Sequence, residues 1–142
     1  MPLVLGIVNL NLETRNSKLP FLVFFTFLGL WTWKLLEPSP VPESLNDAIP
    51  FDLKFIASKI AHVGGYTFLT LLAAWLPLPR RQFWLVVGLL ALHGAASEIL
   101  QDAMGLGRTG KVTDVLIDLF GISLGLLILR LAATRSLRSG AR

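Results

Sequence analysis

Four long apolar runs alternate with short polar or proline-rich segments along the chain: Pro20 to Leu36, Phe51 to Leu78, Phe83 to Asp102 and Val112 to Thr134. A bilayer core of about 30 Å takes about 20 helical residues at 1.5 Å each, so every run predicts a membrane-spanning helix. The first, "FLVFFTFLGLWTWKLL", carries no interior charge and ends with Lys34 placed to reach an interface. The connection "EPSPVPESLNDAIP" holds four prolines and cannot continue a regular helix. "PLPRR" is short enough to make its neighbours antiparallel. The pattern thus predicts an all-α, polytopic four-helix transmembrane bundle over residues 20–134, an N-terminal tail over 1–19 and a basic tail over 135–142. The N-terminal tail has an apolar start without a leading basic region or a small-residue cleavage site, so it reads as a tail or short interfacial helix rather than a signal peptide.

Composition supports the membrane assignment: 54% of residues are hydrophobic and only 15% charged. The lipid bilayer is therefore the first partner. With no cysteine, disulfides, thiol nucleophiles and Cys-ligated metals are excluded. The net charge of +4 is dispersed between apolar runs, with no basic stripe and no stacking aromatics, which argues against nucleic acid. Arg15, Lys18, Arg80, Arg81, Arg130, Arg135, Arg138 and Arg142 fall on one side of a four-span topology, and Lys34, Lys54, Lys59, Arg108 and Lys111 on the other. That excess predicts both termini in the cytoplasm and places the proline-rich and "MGLGRTGK" connections outside. Trp31, Trp33, Trp75 and Trp84 near span ends read as interfacial anchors. The pattern does not fix an oligomeric state.

The polar residues inside the spans carry the chemistry. Lys59, His62 and Tyr66 are spaced three and four apart, Glu98 and Gln101 three apart, and Asp114 and Asp118 four apart, so each set occupies one helical face. Counting rise per residue puts His62 about 10 Å, Glu98 about 6 Å and Asp118 about 9 Å from the outer ends of their spans, which is one layer. A charge facing lipid there costs at least about 2.5 kcal/mol, so the three sets are expected to face one another. His93 lies off the Glu98 face and reads as a packing residue. Gly121 and Gly125 have the small-xxx-small spacing that lets a neighbouring helix of the same bundle approach closely.

Taken together, "K59-x-x-H62-x-x-x-Y66", "G94-x-x-x-E98-x-x-Q101", Arg108, Asp114 and "G121-x-x-x-G125" resemble the pattern of the VanZ-like family of small bacterial membrane proteins. The resemblance covers the stretch from Lys59 to Gly125. It implies a compact helical bundle in the bacterial cytoplasmic membrane and, through the founding member, a link to teicoplanin resistance, without an established reaction. Family members usually carry Asn where this chain has Asp118 and an acidic residue where it has Ser58.

Three readings of the polar layer stay open. In the first, Lys59 and Arg108 bind an anionic group of a lipid-linked cell-envelope component or a peptide antibiotic, with His62, Tyr66, Glu98, Gln101, Asp114 and Asp118 completing the site and Gly94, Gly121 and Gly125 packing the helices. In the second, His62 or Glu98 serves as general base for an enzyme acting on a lipid-linked substrate. In the third, ion pairs only fix helix register. His62, Glu98, Asp114 and Asp118 form a nitrogen and oxygen set that zinc or a harder ion accepts, but only one histidine is well placed and no HExxH motif exists, so no metal is expected. "GLGRTGK" lacks the phosphate-loop spacing and a preceding strand, so no nucleotide cofactor is expected either.

Overall fold

The computed structural model describes residues 18–37, 50–104 and 112–139, with side chains through Arg135. Arg108, assigned to the site from sequence, and Lys111 lie outside the described residues, as does most of the 1–19 tail. Four helices follow in order: α1 (Lys18–Leu36), α2 (Phe51–Trp75), α3 (Arg80–Met104) and α4 (Val112–Ser139). All four are long and apolar enough to cross a membrane, and no strand occurs among the described residues. A spanning segment must satisfy its own backbone polar groups, which a helix does within itself.

Proline sets several helix ends. Pro20 falls within the first turn of α1, where the missing N–H has no helical partner to lose. The Pro50 carbonyl accepts from the N–H groups of Leu53 and Lys54 at 3.1 and 3.2 Å and opens α2. Asp52 in that first turn meets the positive end of the helix dipole. The apolar run alone extends the second span to Leu78, but the helix stops at Trp75. Leu76 precedes Pro77 and is extended, with φ −65° and ψ 137°, the conformation a following proline imposes. Pro79 then offers its carbonyl to Phe83 N–H at 3.1 Å as α3 begins. At the other end of the chain α4 runs on to Ser139, so the basic tail predicted from 135 starts as helix.

The exterior of the bundle is as greasy as its interior. Leu22, Phe25, Ile60, Leu85, Leu89, Leu92, Ile99 and Phe120 all face outward, as lipid contact requires. Inside, Phe24, Tyr66, Leu69, Leu72, Phe83, Leu90 and Ile122 form the core. With equally apolar surroundings on both sides, close packing and interhelical hydrogen bonds hold such helices together.

The seam between α2 and α4 shows how. A Cβ on Gly121 would lie 2.6 Å from the carbonyl oxygen of Val63, and one on Gly125 would lie 2.7 Å from Cβ of Thr70. Only glycine permits that approach, and Thr67 Oγ1 uses it to donate to the Gly121 carbonyl at 2.9 Å. Contacts along the seam pair Lys59 with Asp114, His62 with Asp118, Thr67 with Gly121 and Thr70 with Gly125. The numbers rise together, so α2 and α4 run parallel.

α1 is held differently. Trp31 lies against Gly65, where an added Cβ would come within 2.4 Å of the indole. Its ring stands edge-on to His62 and Tyr66 at 6.2 and 6.3 Å between centroids. This corrects the reading of Trp31 as an interfacial anchor: it is a packing residue between α1 and α2. Trp33, Trp75 and Trp84 are exposed near helix ends.

Candidate ligand site in the polar layer

The four-apart spacing on α4 and the three-apart spacing on α2 align so that two polar rungs cross the seam. Between the third turn of α2 and the first turn of α4 the Lys59 ammonium donates to Asp114 Oδ1. One turn further in, His62 Nδ1 meets Asp118 Oδ1 at 2.8 Å. Both members of this inner rung are buried, His62 with 3% of its surface exposed and Asp118 with 1%. The Lys59 ammonium also sits 4.9 Å from the centre of the Phe55 ring, and of its three donors Asp114 Oδ1 takes one.

α3 brings the third wall. Gly94 and Glu98 lie one turn apart on its inward face, and Glu98 is 4% exposed. A Cβ on Gly94 would fall 3.0 Å from Asp118 Oδ2 and 3.3 Å from the Tyr66 hydroxyl, so glycine here lets both oxygens approach α3 closely. His62, Glu98 and Asp118 each contribute a ligand-capable atom, and the three atoms lie within 4.8 Å of one another. Asp118 Oδ2 is buried and has no hydrogen-bond partner. An ionised carboxylate oxygen can only accept, and leaving it unmatched in an apolar interior costs at least about 1–3 kcal/mol.

The remaining sequence-assigned residues divide between this cluster and structural ties. Asp114 belongs to Lys59, not to the inner cluster. Gln101 uses its Nε2 to donate to the Leu35 carbonyl at 2.7 Å, tying α3 to the C-terminal end of α1. Tyr66, fully buried, lies 2.9 Å from His93 Nδ1. His93 in turn reaches Thr32 Oγ1 through Nε2 at 2.9 Å, while Thr32 donates its proton to the Leu28 carbonyl at 2.7 Å. Thr32 therefore accepts from His93 Nε2–H, and in a neutral imidazole Nδ1 is left to accept from the Tyr66 hydroxyl. Each ring nitrogen of His93 has one partner.

Sequence reasoning missed Thr32, Ser97 and Gly65. Ser97 is buried and donates to the Gly94 carbonyl at 2.8 Å. Thr32 and Ser97 are ordinary in their local sequence. Only the arrangement of α1 and α3 around α2 gives them a role.

A groove runs along the outside of the α2–α4 seam, with a volume of about 480 Å³. It starts at Lys59, passes Val63, Gly64 and Thr67 and ends near Leu71, with Ile117 and Leu124 on the α4 side. Lys59 is the one charged residue among the described residues of its lining.

The family model described as VanZ/LLP1 matches residues 5–133, nearly the whole 142-residue chain. The chain belongs to the VanZ/LLP1 family. Its four apolar helices agree with a multi-pass membrane protein of that family. No curated protein sequence and no solved structure matches it.

Proposed function

We propose that this VanZ/LLP1 protein is a binding or protective module for an anionic amphiphile, a lipid-linked cell-envelope component or a glycopeptide or lipopeptide antibiotic, in the bacterial cytoplasmic membrane. The observation that carries the reading is an apolar groove with a single ammonium at one end. From Lys59 to Leu71 the groove follows α2 for about 18 Å, close to the roughly 15 Å half-thickness of a bilayer core. An acyl chain laid there places its anionic head beside the Lys59 ammonium, which has three donors and gives one to Asp114 Oδ1. With both termini cytoplasmic, as the distribution of basic residues predicts, the head sits at the outer leaflet. His62 and Glu98, the candidate general bases, are buried and do not line the groove, which favours binding over catalysis.

Native mass spectrometry of the detergent-purified protein with phosphatidylglycerol and phosphatidylcholine tests this. The anionic lipid should be retained preferentially, and Lys59→Gln should remove the preference. Gly64→Leu should weaken retention of both lipids, because a Cβ on Gly64 meets nothing within 4 Å and the larger side chain fills the groove without disturbing the fold. Equal retention of both lipids by wild type, or unchanged retention in Gly64→Leu, would count against the proposal.

A further inference from the structure

The geometry points to a divalent metal site at His62, Glu98 and Asp118, separate from the lipid groove and from the Lys59–Asp114 pair. The absence of an HExxH motif excludes only sites built on one helix. Here three donors come from three helices: α2, α3 and α4 each supply one residue, and the ligand atoms already lie within 4.8 Å of one another. Four-coordinate zinc with bonds of about 2.0–2.1 Å places neighbouring donors roughly 3.3 Å apart, so side-chain rotation suffices to close the set.

Two further observations aim the cluster at a cation. Asp118 Oδ2 is buried without a hydrogen bond, and it projects toward the α3 face that carries Gly94 and Glu98. Gly94 also lets that oxygen come up against the α3 backbone, where a Cβ would lie only 3.0 Å from it. Tyr66 does not fill the need: its hydroxyl lies 2.9 Å from His93 Nδ1 and makes no hydrogen bond to Asp118 Oδ2. A cation satisfies the stranded acceptor directly, and the His62 imidazole, once neutral, offers a ring nitrogen to the same ion. One nitrogen and two carboxylates, with no sulfur, select zinc or manganese over soft ions such as Cu(I).

The test uses the full chain purified in detergent, stripped with chelator, incubated with zinc or manganese chloride and desalted, with bound metal counted by plasma mass spectrometry. Wild type and His93→Gln should retain close to one ion per chain, and His62→Gln and Asp118→Ala close to none. Wild type that retains no metal, or Asp118→Ala that retains as much as wild type, overturns the site. Should either variant fail to fold, X-ray absorption on the loaded wild type decides. One imidazole with carboxylate oxygens is expected, and a shell of water alone overturns the site.

Discussion

The chain has two histidines, and both are held between helices, yet they occupy opposite kinds of surroundings. His93 closes a chain from Leu28 through Thr32 to Tyr66 in which each ring nitrogen has one partner. His62 bonds one oxygen of Asp118 and leaves the other stranded against Gly94. A satisfied polar chain fixes helix positions and has no capacity left over. An unsatisfied one, kept at a cost inside an apolar bundle, needs an explanation, and the cation proposed above supplies one.

The largest effect that breaks this comparison comes from exchanging the two positions. His62→Gln should abolish metal retention and His93→Gln should leave it, so the two variants separate on metal content even if both unfold at similar temperatures. Equal loss in both would merge the two clusters into one.

Next is the seam that holds His62 opposite Asp118. Gly121→Val forces a side chain onto the Val63 carbonyl, which backbone cannot yield cheaply. A loss of about 3 kcal/mol or more is expected, read as lower folded yield and a lower thermal midpoint in detergent. Retained yield would mean that the helices are farther apart than the geometry requires.

The sequence carried the spans and the inward polar layer because each rests on local periodicity. Apolar runs near bilayer length mark the helices, and Lys59, His62, Glu98, Asp114 and Asp118 share depth and facing by simple counting. What counting cannot assign is partnership. That Asp114 goes to Lys59 while Asp118 goes to His62 follows from the register of α2 against α4, which Gly121 and Gly125 set through contact with a helix some fifty positions earlier. The position of α1 was equally hidden. Its ties to the bundle are Trp31 on Gly65, Thr32 on His93 and Leu35 under Gln101, and nothing in "FLGLWTWKLL" marks those residues out. Trp31 was misplaced for that reason, since a tryptophan near a span end ordinarily seeks the interface.

On the structural side of the comparison the effects are smaller. His93→Leu strands the Tyr66 hydroxyl and should cost about 1–3 kcal/mol, with metal binding intact. Thr32→Val removes one end of the same chain and should cost about 0.6 kcal/mol, the usual size of an interhelical hydrogen bond in a membrane. A Thr32→Val protein as unstable as His93→Leu would show that the chain acts as one unit.

Nitrogen-15 NMR of histidine-labelled protein tests the central claim most directly, because two imidazoles give two resolvable sets of ring signals. On titration with zinc, the account predicts that one set moves and saturates at one equivalent, that this set is missing from His62→Gln, and that the other stays in the neutral Nε2–H form throughout. Zinc that moves neither set, or shifts both alike, would contradict it.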